Sequence, residues 1–312
     1  MARSTPKKGA PAAELSPGLA PETRRPRQVL RYSAMFPGLF VLAAFALYPA
    51  VYSLVISLFN WNLTSPVQRF VGLKNYQDLL TDPAFWHAVT ITVEFVAMSV
   101  GIQFLLAFGL GLIFFRGLPG DKVMRALILM PMLIAPVVVG LLSRFSLEPT
   151  FGIVNQLLRQ IGLPTQDFLG RPELALPTLI VIDVWQWTPF LFLILLAALQ
   201  GIPEDVIEAA KIDGASWGRI IWHIFLPLLQ YPILVGLALR VIDAFRVYDL
   251  VFMTTRGGPI DATSTMSWQI YDVGFRVFNL SYAAAFSWLL LVLVMVTVSF
   301  MMRRIVANQE DQ

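Results

Sequence analysis

Six long apolar segments limit what this chain can fold into more than any other feature of its sequence. Each is long enough to cross the ~30 Å hydrocarbon layer of a membrane as a helix of about 20 residues. No strand-like alternation dominates them, so helices are expected rather than a β-barrel. The predicted spans cover about 32–59, 88–115, 124–144, 174–199, 228–250 and 281–302.

Composition supports this interpretation, because 57% of the residues are hydrophobic and only 14% are charged, with a mean hydropathy of +0.68. A water-soluble domain cannot bury that much apolar surface. The predicted fold class is therefore all-α, a polytopic membrane protein with six transmembrane helices. Having no cysteine and only His87 and His223, the chain is expected to contain neither disulfides nor a metal site.

The basic residues predict how the chain is organised and oriented. Residues 1–28 are rich in proline and arginine and lack an apolar run, which predicts a disordered basic tail ahead of a transmembrane domain at 29–312. The positive-inside rule makes both termini and the loop at about 201–227 cytoplasmic. The net charge of +3 requires no nucleic-acid partner. The orienting residues include Arg24, Arg25, Arg27, Arg116, Lys122, Arg125, Arg303 and Arg304.

The last outer loop, at about 251–280, begins with the turn signal Gly257-Gly258-Pro259. Trp268, Tyr271, Phe275 and Phe278 follow at helical spacing. This spacing predicts an amphipathic helix lying in the outer membrane interface. The alternative is an aromatic lid over a substrate.

The polar loop at 201–227 is expected to form a helical hairpin. Pro203 suits the first turn of a helix over 203–212, and Gly214 suits a left-handed cap at its end. Ser216 is expected to cap a second helix over 217–226, with Pro227 at the entrance to the fifth span. The hairpin is interpreted as a docking element for a soluble partner, and the alternative is an ordinary solvated connection.

Four loop patterns resemble known elements of one protein family. The hairpin resembles the EAA loop of ABC importer permeases, which reads E-A-A, three residues, G, nine residues, I-x-L-P. Phe70–Tyr76 resembles an F-x-G-L-x-N-Y element, Gly152–Asn155 a G-x-x-N element, and Thr255–Pro259 a T-x-G-G-P turn. The chain thus resembles binding-protein-dependent permeases of sugar importers related to the maltose-type permease. The extra N-terminal spans and large outer insertion of the maltose prototype are absent here, so maltose itself is not implied.

The resemblance implies an ABC importer type I permease fold in a bacterial plasma (inner) membrane. It implies three kinds of partner: a dimer of ATPases, a second permease and an extracytoplasmic sugar-binding protein. ATP and Mg would be held by the ATPases, and no cofactor by this chain. The residues implied to dock the ATPase are Glu208, Ala209, Ala210, Asp213, Gly214, Ile224, Leu226 and Pro227.

The chain is not expected to be an enzyme. None of its five lysines follows a glycine, so the G-K of a phosphate-binding P-loop is missing. No G-x-S-x-G or H-E-x-x-H motif occurs either. ATP hydrolysis is therefore assigned to a separate subunit.

Polar residues inside the fourth and fifth spans predict a substrate pathway, because ionisable groups in a membrane are costly. Aromatic faces beside hydrogen-bonding groups suit a neutral polyhydroxylated ligand. The alternative is that these charges neutralise one another against neighbouring helices, or that Arg246 and Asp249 simply lie at the outer surface. The predicted pathway residues are Asp183, Trp185, Gln186, Trp187, Arg240 and Asp243.

The predicted function is that of a permease subunit of an ATP-driven carbohydrate importer. One alternative is an ABC permease for another cargo, such as a polyol or a glycerol phosphate. A second is an ATP-independent secondary transporter, although no internal repeat of the kind common in those proteins is evident.

Overall fold

The computed structural model describes residues 35–38, 40–62, 68–117 and 119–310, with side chains as far as Arg303. The predicted basic tail at 1–28 lies outside the described residues. The chain divides into two units, residues 1–52 and 53–312. Helix α1, Met35–Ser57, begins in the first unit and ends in the second, and it contains a π-helical turn at Ala43–Leu47.

The described residues are mostly helical, as an all-α membrane protein requires. A two-stranded antiparallel pair, β1 (Phe59–Asn60) and β2 (Arg69–Phe70), follows α1. The further helices are α2 (Lys74–Thr81), α3 (Pro83–Phe115), α4 (Asp121–Leu129), α5 (Pro136–Ser146), α6 (Ile153–Gln160), α7 (Pro172–Gln200), α8 (Glu204–Ile212), α9 (Trp217–Ile220), α10 (Leu226–Ala244), α11 (Asp249–Met253), α12 (Met266–Tyr271) and α13 (Leu280–Glu310).

Within the described ranges, five helical runs are long and apolar enough to cross a membrane. They are α1, α3, α7, the run Trp217–Ala244, and Leu280–Arg303 of α13. A sixth span is the bent pair Asp121–Leu133 and Pro136–Ser146, if the two pieces are taken together. The chain is therefore a multi-pass membrane protein with five or six spans, and the count matches the predicted six when the bent pair is one span.

The third span differs from the expectation of one helix at about 124–144. After α4 the chain passes through a 3₁₀ turn, Met130–Leu133, and bends by 93° before α5. Proline lacks the amide hydrogen of a continuous helix, and it drives the residue before it into an extended conformation. Ala135, which precedes Pro136, accordingly has a ψ of 136°.

Helices α3 and α7 pack closely in the core. Buried positions on α3 recur at every fourth residue, at Ser99, Gln103, Ala107 and Gly111. A Cβ atom on Gly111 would lie 3.1 Å from Cδ1 of Leu199. Because lipid tails are as apolar as the side chains, such small residues favour helix association by letting backbones approach.

The fifth span begins earlier than expected. Helix α9 continues through a π-helical turn, Ile221–Phe225, directly into α10, so the separate helix predicted over 217–226 was wrong. The ring of Pro227 would clash with the carbonyl of His223 in a regular α-helix, and the wider turn relieves that clash. Ser216 does occupy the N-cap position, but its side chain makes no capping hydrogen bond to the described residues.

The last outer loop contains a helix, but its aromatic residues do not share one membrane-facing surface. Trp268 is buried and packs near Phe252 and Tyr271, whereas Phe275 and Phe278 are exposed. The loop turns back at Gly257, where a Cβ atom would lie 2.4 Å from Nε1 of Trp268. The predicted interfacial stripe is therefore wrong for Trp268, which belongs to the core.

Candidate functional site

The hairpin helix α8 ends in a glycine cap, as the sequence predicts. Gly214 has a φ of +75°, a left-handed conformation that costs little only for glycine. Its amide donates to the carbonyl of Lys211 at 3.0 Å, and the amide of Ala215 donates to that of Ala210 at 2.9 Å. This pair of bonds is the Schellman motif, which satisfies carbonyls at a helix end.

The two faces of α8 have different surroundings. Ile207 is buried against a cluster that contains Leu199, Ile220 and Phe225. Glu208, Ala209 and Asp213 are exposed on the other side. The hairpin is thus held by one face, and the other presents Glu208 and Ala209. Ala210, the third E-A-A residue, is half-buried and packs against the buried cluster.

Ile212 is the residue of this face that the sequence pattern overlooked. It is 86% exposed, and it lies four residues after Glu208, on the same side of the helix. The sequence did contain a signal for it, because an apolar residue four positions after Glu208 falls on the polar face of the helix. An isoleucine that is exposed beside two carboxylates offers an apolar contact to a partner.

The I-x-L-P residues that close the EAA-like pattern do not lie on the exposed face of α8. Ile224 packs against the buried cluster beneath the hairpin. Leu226 is half-buried and Pro227 is exposed, both at the start of α10. Ile224 therefore contributes to holding the hairpin rather than to its exposed face.

An open groove of about 580 Å³ lies beside α8. Its walls come from α8, from the end of α3 and from Trp217. The guanidinium of Arg116 stacks over the ring of Trp217, 4.3 Å from its centroid. This contact joins the end of the second span to the hairpin.

A buried polar cluster joins α3, α7 and α10 around Arg240, which is 1% exposed. One terminal nitrogen of its guanidinium pairs with Asp183, and the other donates to Asp243 at 3.0 Å. Nε donates to the side-chain oxygen of Gln103 at 2.8 Å. Gln103 in turn donates to the Asp183 carboxylate at 2.8 Å. The interior charges are therefore paired and bonded, as burial requires.

Asp243 differs from Asp183 in its exposure. The Asp183 side chain is 6% exposed, whereas that of Asp243 is 52% exposed. One Asp243 oxygen is bonded to Arg240, which orients the carboxylate. The alternative of mutual neutralisation therefore describes the Asp183–Arg240 pair, while Asp243 remains accessible.

A cavity of about 70 Å³ lies above this cluster. Five of the six predicted pathway residues line it: Asp183, Gln186, Trp187, Arg240 and Asp243. Arg246, Tyr248 and Asp249 also line it, which the sequence did not predict. Three aspartates face two arginines around the cavity, and this charge balance disfavours anions.

Trp185 lies apart from the other pathway residues and is 52% exposed. At about 100° per residue, positions 183, 186 and 187 fall within about 100° of one another, whereas position 185 lies about 160° from 183 and 187. Gln186 has a structural partner, since its amide donates to the carbonyl of Ile134 at 3.0 Å. That bond supports the bend of the third span.

Gln103 is the buried residue that the sequence reasoning missed. It is fully buried and bonded to two charged side chains. A neutral polar residue in an otherwise apolar span was the available signal. Its partners, however, lie 80 and 137 residues away along the chain.

Residues 103–310 match a protein family described as the binding-protein-dependent transport system inner membrane component. The trehalose/maltose transport system permease protein MalF of Thermococcus litoralis is 36% identical over 80% of this chain and 84% of that protein. The sn-glycerol-3-phosphate transport system permease protein UgpA of Agrobacterium fabrum is 30% identical over 89% of this chain and 95% of that protein.

The fold is also similar to that of a solved structure, a chain of a bacterial ABC transporter involved in the import of the acidic polysaccharide alginate. The two chains superpose with a TM-score of 0.76 at 24% sequence identity, over 89% of this chain and 95% of the other. At that identity the likeness concerns the fold alone.

Proposed function

The chain belongs to the family of binding-protein-dependent transport system inner membrane components, and from this membership we propose that it is a permease subunit of an ATP-driven carbohydrate importer. The observation that carries the proposal is the hairpin, which exposes Glu208, Ala209 and Ile212 on one face while Ile207 anchors the other. The name of the trehalose/maltose relative supports the cargo class. The membrane is a bacterial plasma membrane, with both termini and the hairpin in the cytoplasm.

An ATPase dimer is the partner assigned to the hairpin. The exposed carboxylates of Glu208 and Asp213 offer acceptors to arginine side chains, and Ile212 offers an apolar contact. ATP and Mg are held by the ATPases, and this chain needs no cofactor of its own. A second permease completes the pathway, and an extracytoplasmic binding protein delivers the carbohydrate.

One helical run joins the docking element to the polar cavity. It extends from Trp217 in the hairpin to Ala244, and Arg240 and Asp243 lie near its far end. At 1.5 Å per residue its 28 residues span ~42 Å. A movement of the ATPases would therefore reach the cavity through a single helical run, which departs from regular α-helix at the π-helical turn Ile221–Phe225 and lacks one amide donor at Pro232.

The cavity fits a neutral carbohydrate better than an anion. Three Arg240 nitrogens already have partners in Asp183, Asp243 and Gln103, so this guanidinium is committed. Asp243 and Tyr248 line the cavity and offer an acceptor and an aromatic face, which sugars commonly require.

A glycerol phosphate is the second candidate cargo. Arg246 is exposed and lines the same cavity, and a 30% identical relative is named for sn-glycerol-3-phosphate. Competition distinguishes the two cargoes. Uptake of labelled trehalose that is inhibited by unlabelled disaccharides but not by glycerol phosphate supports the carbohydrate.

The test of the proposal is purification of this chain from its native membrane in a mild detergent, followed by identification of the proteins that co-elute. An ATPase and a second permease are expected, together with ATP-dependent uptake in reconstituted vesicles. Elution without an ATPase, or uptake that proceeds without ATP, would support a secondary transporter instead.

A pair of variants assigns the docking to the hairpin. Gly214→Trp is expected to remove the ATPase from the complex, because any side chain strains the left-handed cap and the indole would fill the open space beside it. Gly162→Trp is the matched control, since Gly162 has a φ of +79° and, like Gly214, open space around its Cβ position. Loss of the ATPase from both variants, or from neither, would contradict the assignment.

A further inference from the structure

The segment that carries the G-x-x-N pattern is fixed by close packing at Gly152 and by hydrogen bonds of Asn155, an arrangement we call the lock. A Cβ atom on Gly152 would lie 2.4 Å from the carbonyl oxygen of Glu148 and 2.6 Å from that of Ser146, so only glycine fits. Asn155, fully buried, donates to the carbonyls of Glu148 at 3.2 Å and Gln166 at 3.0 Å. Its own oxygen accepts the amide of Gln166 at 2.8 Å.

Glu148 completes the lock. Its carboxylate accepts the backbone amides of Phe151 at 2.8 Å and Thr150 at 2.7 Å. The bond from the Phe151 amide is the main reason that the pKa of this carboxyl lies below its usual value. The Glu148 carboxylate is thus bonded within the loop. The orientation of α6 is set by hydrogen bonds on the side that carries Asn155.

The opposite side of α6 is apolar and exposed. At 100° per residue, Ile153 and Leu157 lie about 160° from Asn155. The stripe residues are between 51% and 70% exposed, and none is ionisable. Two of them lie on α6 and three in the turns on either side of it, and we name them together the α6 stripe: Phe151, Ile153, Leu157, Ile161 and Leu163.

Two hydrogen bonds of α7, one to this loop and one to the third span, indicate how deep in the membrane this loop lies. Thr178 Oγ1 donates to the carbonyl of Phe168 at 3.3 Å, close to the Gln166 that holds Asn155. Gln186, the midpoint of α7, marks the bend of the third span. The eight residues between them span ~12 Å along the helix. Half of the hydrocarbon thickness is ~15 Å. With the midpoint of α7 placed at the middle of the bilayer, the loop that holds α6 therefore lies near the level of the lipid headgroups.

We propose that α6 is an interfacial helix whose stripe inserts into the membrane surface, between the headgroups and the acyl chains. An amphipathic helix at that level buries its apolar face in lipid. A partner that binds and leaves would expose the stripe to water between encounters, and such interfaces are no more apolar than ordinary surface. Lipid, in contrast, is always adjacent to a helix at that level, and the helices before and after α6 in the chain, α5 and α7, belong to candidate membrane-spanning segments.

The consequence concerns the broken third span. Helix α5 precedes the lock and packs closely on α11, since a Cβ atom on Gly140 would lie 2.7 Å from Cβ of Met253. Pro136 and Asp249, the first residues of those two helices, line the polar cavity. The stripe therefore tethers one wall of the cavity to the bilayer surface. This inference holds whichever cargo the permease carries.

The chain has no cysteine, so single spin labels can be placed without altering the background. Labels at Ile153→Cys and Leu157→Cys are compared with one at Gln156→Cys, an exposed polar position of the same helix. The purified importer is placed in nanodiscs of phosphatidylethanolamine and phosphatidylglycerol. Collision with oxygen, which concentrates in lipid, is measured against collision with a water-soluble nickel chelate.

Labels at 153 and 157 are expected to collide several-fold more with oxygen than with nickel relative to the label at 156. A preference for nickel at all three sites would overturn the proposal. If adding the binding protein then removed that access to nickel, the stripe would be a protein-docking surface. Protection from both reagents in the complete importer would place the second permease on the stripe, which also overturns it. ATP-dependent uptake is measured separately, so its failure is distinguishable from failure of the lipid contact.

Discussion

Arg240 is the residue through which three distant parts of the chain meet. Its guanidinium contacts Gln103 of α3, Asp183 of α7 and Asp243 of its own helix, and it stacks 5.4 Å from the centroid of Trp187. A buried charge is tolerated only when its donors and acceptors are satisfied. The cluster meets that condition and leaves Asp243 as the accessible carboxylate.

At this scale the first prediction concerns Asp243. Asp243→Ala removes one acceptor from the cavity, and a hydrogen bond to a charged group contributes about 1.5–3 kcal/mol. We expect the apparent affinity of uptake to fall roughly ten-fold to a hundred-fold, measured as the half-saturating carbohydrate concentration. Asp78→Ala, which removes an exposed carboxylate on α2, is the control. Unchanged uptake by the Asp243 variant would remove this residue from the pathway.

The second prediction concerns Gln103. Gln103→Leu leaves Arg240 Nε without its acceptor inside the protein, and an unsatisfied buried group costs about 1–3 kcal/mol. We expect a lower melting temperature of the purified importer. Gln77→Leu makes the same change at an exposed position and should leave the melting temperature unaltered. Equal melting of the two variants would show that the cluster adds no stability.

At the scale of elements, the hairpin combines a rigid anchor with an exposed face. Ile207, Ile220 and Phe225 bury their side chains together with Leu199 at the end of α7. The same packing joins α9 to the fifth span, so the hairpin is continuous with the helix that reaches the cavity. Its exposed face is therefore presented by a supported structure rather than by a mobile loop tip.

The third prediction tests that face. Ile212→Asp places a charge where we expect an apolar contact with the ATPase, so less ATPase should co-purify while the permease remains folded. Ile260→Asp is the matched control, because Ile260 is 89% exposed and Ile212 is 86% exposed, and Ile260 lies in the last outer loop. Equal ATPase recovery from both variants would exclude Ile212 from the docking surface.

At the scale of the whole molecule, the order of spans decides which loops share one side of the membrane. With the bent pair counted as one span, the hairpin and the connection between α3 and α4 fall on one side, whereas α2 and the last outer loop fall on the other. The positive-inside rule predicts that the hairpin side is cytoplasmic. A docking surface for ATPases requires that assignment.

The fourth prediction follows from this topology. Single cysteines at Asp205→Cys and Asp78→Cys, both at exposed positions, are treated with a membrane-impermeant maleimide in intact spheroplasts. Only the cysteine at position 78 should react until the membrane is permeabilised. Labelling of position 205 from outside would invert the topology and contradict ATPase docking at the hairpin.

Local features were predictable because they depend on neighbours along the chain. The end of α8 at Gly214 follows from glycine's freedom at positive φ, and the long apolar helices follow from the absence of water inside a bilayer. The bend before Pro136 and the continuation of helix through Pro227 were missed. Whether a proline breaks a helix or is accommodated by a wider turn depends on the packing around it.

The sequence by itself determined the helical class, the apolar membrane segments and the hairpin, since hydropathy and helix capping act over a few residues. Only the tertiary structure decided which polar residues meet. Gln103 and Arg240 are 137 residues apart, and Trp268 is drawn into the core although its spacing suggested a membrane-facing stripe. Helix rotation and long-range packing, which set these contacts, depend on all neighbouring helices at once and leave no local pattern to read.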